Sequence, residues 1–138
     1  MKDEFLLRAI ELARQSVDAG GGPFGALIVK DGKIIAGSGN RVAIMKDPTA
    51  HAEILAIRKA TEVLGHYHLD GCDLYTSCEP CPMCMGAVYW AHIERVYYGS
   101  SHEDARNAGF DDMDIYGEVR KLPEERNLPM VSKYREEA

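Results

Sequence analysis

A chain of 138 residues and 15.3 kDa suits one compact domain with a real core, not an array of domains. Its 46% hydrophobic and 28% charged content is that of a globular domain and excludes a disordered or low-complexity chain. A net charge of -6 and a pI near 5.3 give no broad attraction for phosphate backbones, which favours a small-molecule substrate over nucleic acid.

Met1-Lys2-Asp3-Glu4 carries acids where a signal peptide carries only positive charge, and Arg8, Glu11 and Arg14 break the apolar stretch behind it. No run approaches the ~20 apolar residues that cross a bilayer. A cytoplasmic protein with no membrane partner is therefore expected, with its four cysteines reduced. Phe5, Leu6, Ala9, Ile10, Leu12, Ala13 and Val17 recur at helical spacing and predict an amphipathic helix over 3–18. Gly20-Gly21-Gly22-Pro23 ends it, and Phe24 to Val29 reads as a buried strand. Asp31-Gly32 is a strong two-residue hairpin signal, so Lys33 to Gly39 returns antiparallel.

Asn40 to Lys46 reads as loop, and Asp47 or Thr49 caps a helix over Ala50 to Leu64. Ala52, Leu55, Ala56, Ala60 and Val63 form its expected buried stripe. A strand lies within Leu69 to Ser77, and Pro82 opens a second helix running to about Ala91. Glu94 to Gly99 is the next strand. The order helix, hairpin, helix, strand, helix, strand predicts a three-layer α/β/α domain with a central mixed β-sheet. Beyond Ser101 a short helix over His102 to Ala108 ends at Gly109. Phe110 to Tyr116 is acidic and turn-like, and Lys121 to Ala138 is charge-rich.

The chemistry concentrates in two motifs. His51-Ala52-Glu53 supplies an imidazole and, two residues on, a carboxylate; Pro80-Cys81-Pro82-Met83-Cys84 supplies two thiols. Cys81 and Cys84 are three apart at a helix start, on one face of the first turn, where the helix amino end favours thiolates. With His51 they can hold Zn2+ and leave one position open for a catalytic water. Glu53 stands outside that ligand set and can move the proton. A closed structural zinc site, using Cys78 or Cys72 as a further ligand, is the non-enzymatic alternative; both are otherwise small core residues. His66 and His68 flank Tyr67 and read as a turn with partly exposed imidazoles, or as a second metal site. His92 and His102 read as ordinary surface residues. Trp90 and Tyr89 line either a base pocket or the core or an interface.

On the stretches 47–53 and 76–87 the chain resembles the cytidine deaminase superfamily, and on 108–116, 22–26 and 89–91 its bacterial guanine deaminase branch. The resemblance implies a single deaminase domain over 1–138. It implies zinc-dependent hydrolytic deamination of guanine to xanthine and ammonia in purine catabolism. By the same resemblance Phe24 stacks the purine, Asn40 hydrogen-bonds it, Asp112 reads its polar edge, and Ala52 and the Glu79–Cys81 backbone lie against the ring. Such relatives usually carry a further C-terminal segment that packs over an active site, in some members the neighbouring subunit's. Here the sequence stops at Arg135-Glu136-Glu137-Ala138, so that segment is either absent from the protein or outside this stretch of sequence. The surplus apolar area of Met83, Met85, Val88, Tyr89 and Trp90 predicts a homodimer beside the active sites. The enzymatic alternatives are adenosine deamination in transfer RNA and deamination of another nucleobase, a nucleoside or an amino-triazine.

Overall fold

In the computed structural model, which describes residues 2–110 and 114–138, the first apolar pattern becomes helix α1, Asp3–Asp18. Its buried Phe5, Ala9, Ala13 and Ser16 lie on one face. Strands β1 (Gly25–Lys30) and β2 (Lys33–Gly39) form the expected hairpin. Asp31 and Gly32 between them take φ of 50° and 72°, the positive pair that a type I′ turn requires.

The first five residues of β1 are all buried, because both faces of the strand are covered. Leu27 and Val29 pack with Phe5 and Ala9 of α1, whereas Ala26 and Ile28 join Ala52, Ala56 and Ala60 on the other face. Those three alanines belong to helix α3, Ala52–Leu64. Strand β3 (Cys72–Cys78), helix α4 (Pro82–Trp90) and strand β4 (Arg95–Ser100) complete the layers. The sheet order is β2-β1-β3-β4, with β1 antiparallel to both neighbours and β3 parallel to β4. The mixed sheet between α1 and the α3–α4 pair is the expected three-layer architecture. β2 and β3 run in the same direction, so the helices that follow them begin at the same edge of the sheet.

Local details differ from expectation. A short helix α2, Val42–Met45, occupies the segment read as loop. Neither Asp47 nor Thr49 caps α3, which starts at Ala52 with His51 as its N-cap. Asp47 Oδ1 instead accepts from the Thr49 N–H at 2.9 Å and from its hydroxyl at 2.7 Å, closing a local turn. Val63, placed in the buried stripe, is 65% exposed; Glu53 is buried instead. Helix α5 spans His102–Asn107 and stops at Gly109, whose φ is 95°. Helix α6 (Ile115–Arg120) and a 3-10 turn (Pro123–Glu125) follow, and residues 127–138 are exposed. Among the described residues no helix is long and apolar enough to cross a membrane.

The α1–β1 contact depends on one glycine. A Cβ at Gly25 would overlap the Ala9 carbonyl and the Ala13 amide, both of them helix backbone. Gly25→Ala should therefore lower unfolding free energy by about 1–3 kcal/mol, the range for overpacking a tight contact. A denaturation midpoint unchanged from the parent chain would show that α1 yields freely.

Candidate active site

Both site helices begin with ligand-type side chains because both begin at one sheet edge. His51 is extended, with φ of -66° and ψ of 153°, and its carbonyl accepts from the Leu55 N–H at 3.0 Å. Cys81 plays the same part for α4: it is the N-cap, Pro82 takes the first helical position, and its carbonyl accepts from the Met85 N–H at 2.9 Å. Cys84 lies one turn on and is fully buried.

His51 Nδ1 is 3.5 Å from Cys81 Sγ and 3.6 Å from Cys84 Sγ. Zn–S bonds of about 2.3 Å and a Zn–N bond of about 2.0–2.1 Å at tetrahedral angles require S···N separations of about 3.6 Å. The three side chains therefore fit a zinc ion without rearrangement, and their ligand atoms all lie within 4.8 Å of one another. Among the protein groups alone, the Cys84–Cys81 hydrogen bond lowers the Cys81 thiol to about 4, and the same contact, with burial, pushes Cys84 up. A divalent cation is what allows both sulfurs to be thiolates together.

A cavity of about 370 Å3 opens over this group. That is within the ~300–1,000 Å3 of small-molecule sites. Its wall includes Phe24, Asn40, His51, Glu53 and Cys81, which brings five of the expected site residues together. Glu53 is 6% exposed, and burial raises its carboxyl above the usual range, partly offset by a hydrogen bond with Cys84. Its oxygens do not join the three-ligand cluster. Phe24 meets Phe110 edge-on at 5.3 Å between ring centroids. Asn40 Oδ1 accepts from the Val42 N–H at 3.1 Å, which fixes the end of its amide that accepts.

Other expected site residues lie elsewhere. Ala52 is fully buried between His51 and Glu53 and does not line the cavity. Trp90 ends α4 and is 83% exposed, outside the cavity wall. Nine helical residues separate the ends of α4 by about 13 Å, enough to explain that distance from the zinc-type ligands. Asp112 lies outside the described residues. Cys78, expected to face away from the ligands, is buried but forms part of the cavity wall.

His102 is a wall residue that the sequence did not single out. Its Nε2 is 2.9 Å from the Pro80 carbonyl, and its main-chain N–H donates to Glu79 Oε2 at 2.9 Å. Its Nδ1 is 3.6 Å from Glu79 Oε1. The start of α5 is thus fastened to the loop that delivers Cys81. The signal for this was absent from local sequence, since residues 79 and 102 meet only through the parallel pairing of β3 and β4.

The model of the cytidine and deoxycytidylate deaminase zinc-binding region matches residues 1–100. Guanine deaminase of Bacillus subtilis is 61% identical over 128 residues, which are 92% of this chain and 82% of the relative. The X-ray structure of guanine deaminase from Bacillus subtilis superposes with a TM-score of 0.94 at 58% identity, covering 97% of this chain and 86% of that one. The tRNA-specific adenosine deaminase of Agrobacterium fabrum is 46% identical over 99 residues, 72% of this chain and 65% of the relative.

Proposed function

The chain belongs to the cytidine and deoxycytidylate deaminase family, and from that membership we propose that it hydrolyses guanine to xanthine and ammonia at a zinc centre, as a single deaminase domain over 1–138. The observation that carries the step from family to substrate is the 61% identity to guanine deaminase over 92% of the chain. Similarity to the tRNA-specific enzyme is both lower and shorter, at 46% over 72%.

In this reading His51 Nδ1 and the Cys81 and Cys84 sulfurs hold the zinc. When bound, zinc supplies a Lewis acid that lowers the pKa of water toward neutrality. Glu53 takes the proton from the attacking water and delivers it to guanine N3, then carries a proton to the departing C2 amine. Burial suits it to both steps, because by raising the carboxyl's pKa it makes the protonated form between the two transfers easier to reach. Phe24, braced edge-on by Phe110, stacks the purine. With Asn40 Oδ1 engaged by Val42, its Nδ2 donors serve a ring acceptor. The Glu79–Cys81 backbone supports the ring.

Asp112 accepts from the N–H edge of guanine, a pattern that adenine lacks. Asp112→Ala should lower kcat/KM for guanine about 100-fold or more, since a donor left without an acceptor is costly. Zinc content should not change. Guanine kinetics equal to those of the parent would remove Asp112 from recognition.

Homodimerisation is part of the same proposal. Tyr89 and Trp90 are 77% and 83% exposed at the end of α4, next to one another, and large aromatics at that exposure suit an interface. Trp90→Ala should weaken self-association about 10- to 100-fold by sedimentation, as loss of an aromatic anchor does. A parent chain that sediments as a monomer at micromolar concentration would contradict the dimer.

Ammonia release measured across guanine, adenine, cytosine, their nucleosides and amino-triazines tests the substrate. Turnover of guanine above the others is expected. Brisk turnover of another base beside none of guanine would reject it, as would inosine formation on an anticodon-loop RNA without guanine activity.

A further inference from the structure

The carboxyl ends of the two site helices converge on a second group of ligand-type side chains. His68 and Asp70 lie in the loop after α3, and His92 follows α4. One ligand atom from each lies within 4.8 Å of the other two. The His68 and His92 rings stack at 4.0 Å between centroids with 25° between planes.

The backbone beneath these side chains is pinned. Leu69, between the two loop ligands, is fully buried, and its N–H donates to the Ala91 carbonyl at 2.7 Å, the residue before His92. The Leu69 carbonyl accepts from the Cys72 N–H at 3.0 Å, and the Ile93 N–H donates to the Val88 carbonyl at 3.2 Å. The loops after α3 and α4 are therefore fixed to each other by the core, and the three side chains meet as a consequence. His68 is further held by its own N–H, which donates to His66 Nδ1 at 2.9 Å.

The electrostatics favour a cation. Helix carboxyl ends carry partial negative charge, and α4 ends at Trp90, two residues before His92, which adds to the charge of the Asp70 carboxylate. Two imidazole nitrogens and one carboxylate oxygen, without a thiol, suit Zn2+, Ni2+ or Co2+. The 13 residues of α3 separate this group from His51 by about 20 Å, so it is no part of the candidate active site.

We propose that His68, Asp70 and His92 form a second, surface site for a divalent transition-metal ion, which clips the loop after α3 to the loop after α4. Water completes its coordination, and the bound ion stabilises the folded state. The site stands independently of the deamination reaction.

Equilibrium dialysis of the zinc-loaded full chain against Ni2+, with both metals counted in the same sample, tests the site. One equivalent of nickel per chain should bind with the first zinc retained, and the thermal midpoint should rise. H68Q and H92N should each weaken nickel binding tenfold or more and abolish that rise. Asn is chosen because His92 sits at a φ of 58°, which Asn tolerates and Ala does not. Guanine turnover without added nickel should match the parent in both variants, which reports that they fold. Saturation with no nickel beyond the zinc site, or nickel bound equally by the parent and both variants, would overturn the proposal.

Discussion

Glu53→Ala should abolish nearly all turnover while leaving the zinc in place. Glu53 is buried in the cavity wall beside the zinc-type ligands but outside their cluster. Among the described residues no other carboxylate in the wall is as buried: Glu79 is half-buried and engaged by His102. General acid–base catalysis contributes about 10²–10⁴-fold for a single positioned group. Glu53 serves two transfers in succession, so a fall of about 10⁴-fold is expected, the upper end of that range. Glu53→Gln keeps the volume and removes only the proton chemistry, so it should be as inactive as the alanine variant. Zinc counted in the same samples should equal the parent. Turnover retained by either variant at full zinc occupancy would remove the shuttle role.

Loss of a ligand should look different, because metal and fold fail together. His51 and the two cysteines tie the starts of α3 and α4 across the sheet edge, so the energy of binding zinc is also energy of folding. Cys81→Ala or His51→Ala should lose zinc, lose activity and unfold earlier. If about 4 kcal/mol of stability goes with the metal, the thermal midpoint falls by roughly 10–20 °C for a chain of this size. A chelator should produce a similar fall in the parent and little further change in the variants. Zinc content equal to the parent in either variant would mean that these residues are not the ligands.

Much of the scaffold was legible because its signals are local. The spacing of Phe5, Ala9 and Ala13 specifies α1, and Asp31-Gly32 specifies a turn whose two positive φ values close the β1–β2 hairpin. The two motifs were legible for the same reason. His51 sits at one helix start, Cys81 and Cys84 at another, and a single sheet edge gathers them.

Features set by tertiary neighbours were harder to read. Asp47 has the composition of a helix cap, but the nearer Thr49 takes its carboxylate. Val63 falls on the apolar stripe of α3 yet lies at the exposed carboxyl end of that helix. Trp90 belongs to the second site helix but stands at the end remote from the ligands. His102 and Phe110 enter the cavity wall only because β4 returns the chain beside β3. His92 meets His68 only through the backbone bond between Leu69 and Ala91. None of these meetings has a short-range signature.

Guanine incubated with the zinc-loaded chain in water enriched in 18O tests the central claim most directly. Mass spectrometry should find xanthine carrying one 18O, at C2, with ammonia released in equal amount. Guanine recovered unchanged from a chain with a full complement of zinc would contradict the account.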